Sequence, residues 1–101
     1  MAPRVHVDRF LNEFASWASR QEAILAAALV GSHARGSASD KSDVDLVVIA
    51  SRPDTYVRNT DWTAKFAAVR HQQVEQYGRV TSVRVRFEDN LEVEFGLTDE
   101  S

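Results

Sequence analysis

The chain contains no cysteine, so neither a disulfide nor a thiolate metal site is open to it. That absence fits a reducing cytoplasm, which is the compartment expected. No apolar run approaches the roughly 20 residues needed to span a bilayer. The longest, Ala23 to Val30, has the length of a buried strand. Nor is there a signal-peptide core, because Met1-Ala2-Pro3-Arg4 leads straight into an amphipathic pattern. An excess of basic charge is missing too. The formal net charge is −3, which provides no global positive field for nucleic acid, so nucleic acid is not the expected partner.

What remains is an ordinary globular composition. The 101 residues, 44% hydrophobic and 27% charged, allow one core and one domain, residues 1–101. Acidic side chains cluster at Asp40, Asp43 and Asp45, and again at Glu88, Asp89, Glu92 and Glu94. Like charges repel, so a fold that gathers both clusters needs a cation or a wide solvent gap between them.

Phe10, Leu11, Phe14, Trp17 and Ala18 recur at helical spacing, which predicts a helix capped by Asp8 and running to about Arg20. Ala23 to Val30 reads as a buried strand, and Gly31-Ser32-His33-Ala34-Arg35-Gly36 as a turn opening a short helix. After a polar loop from Ser37 to Ser42, the aliphatic run Val44 to Ala50 predicts a central strand. Pro53 breaks it, and Asp54 can cap a helical stretch holding Tyr56, Val57, Trp62, Phe66 and Val69. His71 to Tyr77 is open between helix and strand, and Gly78 is a turn.

Val83, Val85 and Phe87 alternate with Arg84 and Arg86, and Leu91, Val93, Phe95 and Leu97 alternate with Glu92, Glu94 and Gly96. These are two half-buried strands of a hairpin whose apolar sets must share one face. A two-residue turn at Asp89-Asn90 would set Val85 against Glu94. A three-residue loop, Asp89-Asn90-Leu91, pairs Phe87 with Val93 and Val85 with Phe95 and gives Asn90 the positive φ such loops require. In that register Arg86 faces Glu94 as a cross-strand ion pair, in preference to binding phosphate, and Arg84 is solvated.

Gly31-Ser32-His33-Ala34-Arg35-Gly36 followed by Ser42-Asp43-Val44-Asp45-Leu46 resembles the nucleotidyltransferase motif of the DNA polymerase β superfamily. The likeness is greatest to the minimal nucleotidyltransferases and to the aminoglycoside and lincosamide nucleotidyltransferases. A Gly-Ser pair and an Asp-x-Asp pair are each common; in this order, about ten residues apart and between two apolar strands, they are specific. The resemblance implies an α/β (α+β) fold: a small mixed β-sheet with helices packed on one face and carboxylates displayed at the open edge of the other.

Each part has a physical rationale. Asp43 and Asp45, two apart on a strand, share a face and stand about 6.6 Å apart along it. With a triphosphate they can bridge two Mg²⁺ ions roughly 4 Å apart. Mg²⁺ keeps several waters and needs few protein oxygens. Gly31 allows close approach to a phosphate, and Ser32 adds a hydroxyl where a helix N-terminus favours an anion. Taken alone, Gly31 would be a turn and Ser32 an N-cap. Unpaired carboxylates at the mouth of an apolar strand are costly, which favours a metal over a solvated strand entrance.

The resemblance implies a third carboxylate from a nearby strand. Glu94 takes that place, with Glu92, nearer the turn, as the fallback. Many relatives carry Asp there, and Glu reaches about one methylene further. In the family this acid helps deprotonate an attacking hydroxyl, which displaces pyrophosphate from the α-phosphate. Arg35 either contacts the triphosphate or bonds loop carbonyls, while His33 beside it is read as incidental. Trp62 is read as packing in preference to lining a substrate pocket.

The implied activity is Mg²⁺-dependent transfer of a nucleoside monophosphate, AMP from ATP, to a hydroxyl acceptor that the sequence does not identify. Antibiotic-modifying relatives continue into a helical acceptor-binding region. Ser101 follows soon after the third-carboxylate strand, so the acceptor site is expected from a region beyond it or from a second subunit. The alternative is a minimal nucleotidyltransferase antitoxin that binds and adenylylates a small helical toxin. A domain that binds nucleotide without turnover fits less well with the complete Gly-Ser and Asp-x-Asp set.

Overall fold

A computed structural model describes residues 4–36 and 43–100 of the chain, apart from the side chains of residues 4 and 5. The order of elements is α1 (Arg4–Ser19), β1 (Ile24–Val30), α2 (Gly31–Arg35), β2 (Val44–Ala50), α3 (Pro53–Arg58), a 3-10 helix (Asp61–Lys65), β3 (Val69–Tyr77), β4 (Val80–Phe87) and β5 (Glu92–Thr98). The polar loop expected over Ser37 to Ser42 lies outside the described residues.

The strands form one five-stranded sheet in the order β1-β2-β5-β4-β3. β2 and β5 run parallel, and the remaining pairs are antiparallel. This is the mixed sheet expected. Because strand side chains alternate, Val44, Leu46 and Val48 of β2, Val83, Val85 and Phe87 of β4, and Val93, Phe95 and Leu97 of β5 all enter one core. Over that face lies α1, whose Val7, Phe10, Phe14, Trp17 and Ala18 recur every three or four residues. Trp62 completes an aromatic cluster, stacked on Trp17 at 5.2 Å and edge-on to Phe95 at 4.8 Å. Its indole N–H donates to the Tyr56 carbonyl at 2.8 Å, so it is a core residue.

Several local expectations are corrected. α1 begins at Arg4, so Asp8 lies inside the helix and is not its cap. β1 is an edge strand whose central residues, Leu25 to Ala28, are exposed. An uncharged run is compatible with either a buried strand or an undefended edge. The helix expected from Asp54 to Val69 is split. Pro53 opens α3, with Asp54 in its first turn bonded to Arg58 at 2.9 Å. Asn59 is extended and its side chain accepts from the Asp61 N–H at 3.0 Å, which ends the helix. Thr60 and Thr63 then tie the 3-10 helix to Gln72 of β3. His71 to Tyr77 belongs to a strand, paired with β4.

The β4–β5 hairpin has a loop of the expected length, one residue earlier. The Phe87 N–H donates to the Leu91 carbonyl and the Asn90 N–H to the Phe87 carbonyl, so Glu88-Asp89-Asn90 form the loop. Asn90 has φ 70, as expected. The Asp89 side chain accepts from the Leu91 N–H at 3.1 Å, and Leu91 is buried, which fixes this choice. Val85 therefore pairs with Val93, Arg84 with Glu94 and Arg86 with Glu92. The expected Arg86–Glu94 pairing is wrong by one step of the alternation.

Candidate active site

The open face of the sheet carries the side chains that alternate with the core. One polar row crosses it: Asp45 of β2 is the direct neighbour of Glu94 of β5, which neighbours Arg84 of β4, which neighbours Gln73 of β3. On the other side, Asp45 is opposite Val30, the last residue of β1, so the β1–α2 turn rises beside it.

That turn depends on glycine. Gly31 has φ +75, a left-handed conformation costly for a side-chain-bearing residue, and a Cβ there would collide with the Asp45 carboxylate. Ser32 and His33 follow in the first turn of α2, and Arg35 lies exposed in its last turn. Gly36, φ 73, caps the helix, its N–H directed at the carbonyls of Ser32 and His33.

Asp43 directly precedes β2 and is half-buried, as is Asp45. The Asp45 carboxyl is held above the ordinary aspartate range, first by burial, then by the charges of Glu94 and Asp43. Arg84 and His33 oppose this without overcoming it. Asp45 is thus a carboxylate short of positive charge, seated between two others. Oxygen donors of this kind suit a hard divalent cation. As the side chains stand, no group of three His, Cys, Asp or Glu is gathered closely enough to hold a metal among the described residues. Asp43, Asp45 and Glu94 thus supply oxygen donors of the right chemistry for such a cation without being drawn together as one ligand set.

Glu94 is engaged elsewhere. One of its oxygens accepts from the Ser82 hydroxyl at 2.8 Å and the other from the Arg84 guanidinium at 3.2 Å. Glu92 is bound by Arg86, whose Nε donates at 2.6 Å. Of the two glutamates, Glu94 is the neighbour of Asp45 and the one whose charge acts on it. Arg84, expected to be solvated, is instead the ion-pair partner of Glu94, and Ser82 was not read as part of the site. Ser82 is 1% exposed yet sits among charged positions, and only the correct hairpin register reveals either residue.

The model of the nucleotidyltransferase domain family matches residues 8–99. Among solved structures, the chain is similar to an aminoglycoside 6-adenyltransferase from Bacillus subtilis, at TM-score 0.71 and 17% identity, covering 89% of this chain and 34% of that one. It is also similar to Cid1, described for its RNA terminal uridylyl transferase activity, at TM-score 0.59 and 16% identity, covering 89% of this chain and 30% of that one. Cid1 bound to the UTP analogue UMPNPP gives TM-score 0.56 with the same coverage. The chain thus spans about a third of the length of these proteins, and at such identities the likeness is one of fold. No curated protein matches the sequence. With the family model covering nearly all of its length, this chain belongs to the nucleotidyltransferase domain family.

Proposed function

We propose that the chain transfers a nucleoside monophosphate, AMP from ATP, to a hydroxyl-bearing acceptor in an Mg²⁺-dependent reaction. The observation that carries this reading is the adjacency of Asp45 and Glu94 on the open face, beside a glycine turn shaped against the Asp45 carboxylate. Asp43, Asp45 and Glu94 would hold the cation, which when bound supplies charge neutralisation for the triphosphate and its leaving group. Gly31 and Ser32 present backbone and hydroxyl donors to the phosphates, and Arg35 on the same short helix adds a cation.

The acceptor hydroxyl oxygen forms a bond to the α-phosphorus. The bond from that phosphorus to the bridging oxygen breaks, and pyrophosphate departs with the electron pair. The hydroxyl proton passes to Glu94. Positioning and electrostatic stabilisation account for most of the rate, as is general for phosphoryl chemistry of this kind.

A second reading, in which the acceptor is a small helical protein partner, is favoured by one feature. Between α1 and the β1 edge lies an apolar cavity of about 430 Å³, walled by Leu11, Phe14, Leu25 and Leu29 among others. Leu25 is 48% exposed on that edge. Incubation with α-labelled ATP, magnesium, and panels of small hydroxyl compounds and candidate proteins tests both readings. Label is expected in an acceptor, with pyrophosphate released in equal amount. Absence of transfer from any labelled nucleotide, with the fold intact, would overturn the proposal.

A further inference from the structure

Asp45 and Glu94 are direct neighbours on parallel strands, yet no metal-holding group of three forms among the described residues. Glu94 is also bonded on its other side, toward β4. Ser82, buried against the sheet, donates to one of its oxygens, and Arg84 donates to the other. Both glutamate oxygens are thus bonded to side chains of β4. Each oxygen keeps a further lone pair, but a cation that takes it must meet the positive charge of the guanidinium and approach from the side that Ser82 and Arg84 leave open.

The Arg84 hold is built to be released. Its contact with Glu94 is through a single Nη at 3.2 Å, not the bidentate fork that makes guanidinium–carboxylate pairs strong. Its Nε is buried without a hydrogen-bond partner. The side chains of Arg84 and Glu94 are 42% and 28% exposed, so neither is locked by packing. A second seat is near: the negative charge of Glu75 on β3, carried by a side chain bonded to Gln73 and Tyr77, also acts on Arg84.

We infer that Arg84 is an internal counter-cation that competes with the divalent metal for Glu94, with Ser82 as its neutral accomplice. It is a positioning residue: it allows the carboxylates to coexist without metal, and it weakens capture of a free cation until its hold on Glu94 is broken. This rests on the proposed metal-dependent reading of the site.

Titration of the whole chain with Mn²⁺ alone, followed by calorimetry, tests it. Arg84→Met is expected to tighten Mn²⁺ binding about tenfold, which corresponds to about 1.4 kcal/mol. Ser82→Ala, which changes no charge, is expected to tighten it about threefold, the scale of one lost hydrogen bond. In a Glu94→Gln background both gains should shrink to less than about twofold. That collapse separates competition for Glu94 from a general field effect, which would persist. Unchanged or weaker Mn²⁺ binding by Arg84→Met, or a gain that survives Glu94→Gln, overturns the inference. A parallel titration with Mn²⁺ and a nonhydrolysable ATP analogue separates the two readings. Failure of every protein to bind there removes the metal-dependent function itself, whereas binding there with no Arg84 effect on Mn²⁺ alone removes only the counter-cation.

Discussion

On β5, Val93, Phe95 and Leu97 are sealed under α1, while Glu92 and Glu94, one residue away, stand on the open face. β4 repeats the division: Val83, Val85 and Phe87 face inward, Ser82, Arg84 and Arg86 outward. The two faces obey opposite rules. The closed face gathers groups that gain by contact and holds them through an aromatic cluster. The open face pairs Arg84 with Glu94 and Arg86 with Glu92, yet it also gathers Asp43, Asp45 and Glu94, like charges that gain nothing from one another, as the raised Asp45 carboxyl shows. The closed face makes the arrangement on the open one affordable, because registers fixed by the core place Asp45 beside Glu94 whether or not those two attract.

This contrast is testable by perturbing each face alone. The largest expected effect is on activity. Asp45→Asn should lower nucleotidyl transfer by at least about a thousandfold, roughly 4 kcal/mol of transition-state stabilisation, while the fold persists. Single-turnover assays with labelled nucleotide, alongside circular dichroism, measure both. Transfer within tenfold of the unaltered chain would remove Asp45 from the chemistry.

One position from Glu94 and on the other face, Phe95→Ala should behave in the reverse way. Phe95 is fully buried and meets Phe10, Phe14, Trp62 and Phe66. Loss of a buried phenyl group costs about 3–5 kcal/mol, a large part of the stability of a domain this size. Denaturant unfolding should show the midpoint fall with little change in slope. A loss below about 1 kcal/mol would mean that the closed face does not hold the sheet.

The glycine turn lies between the two rules, and its two glycines can be played against each other. Gly31→Ala meets a left-handed φ and a collision with the Asp45 carboxylate. Gly36→Ala meets the left-handed φ with no heavy atom near its Cβ among the described residues. Gly36→Ala should therefore cost about 1 kcal/mol of stability and leave transfer largely intact. Gly31→Ala should cost about 1 kcal/mol more and reduce transfer as well, since the carboxylate must move. Equal losses of stability and activity from the two changes would show that the close approach at Gly31 is incidental.

How much of this was legible in the sequence follows from the same physics. Alternation identifies strands and faces, so the core of β2, β4 and β5 and the placement of Asp45 and Glu94 opposite that core could be read directly. It is blind to any error that preserves the face. Moving the hairpin loop by one residue exchanges Phe87 for Val85 opposite Val93 and leaves every apolar side chain inside. That shift hid the Arg84–Glu94 pair and with it Ser82. Only the loop's own bonds, from Asp89 to the Leu91 N–H and between Phe87 and Leu91, decide it. The edge position of β1 escaped for a different reason. Ile24 to Val30 carries no charge, as a buried strand would, whereas the other edge, β3, is marked by Arg70, His71 and Glu75. The position of Gly31 and Asp45 was legible through the family motif; their close approach was not, because it depends on the pairing of Val30 with Asp45.

The smallest effect is also the one most specific to the open face. The Asp45 carboxyl is raised by burial first and by Glu94 and Asp43 next, so its ionised form is less favourable in the folded chain than in the unfolded one. The sign follows from linkage: where the folded pKa lies above the unfolded one, the folded state binds more protons across the window between them, and stability gained there increases as pH falls. At neutral pH the full penalty of the ionised Asp45 is present. Without metal, Asp45→Asn should therefore raise Tm at pH 7. The gap should narrow as pH falls through the raised pKa and close in the ordinary aspartate range. Thermal melts of the two proteins at matched ionic strength from pH 7 to pH 4 measure it. A gap independent of pH would assign the gain to packing or solvation of the amide, and the charge-gathering role of the open face would lose its thermodynamic support.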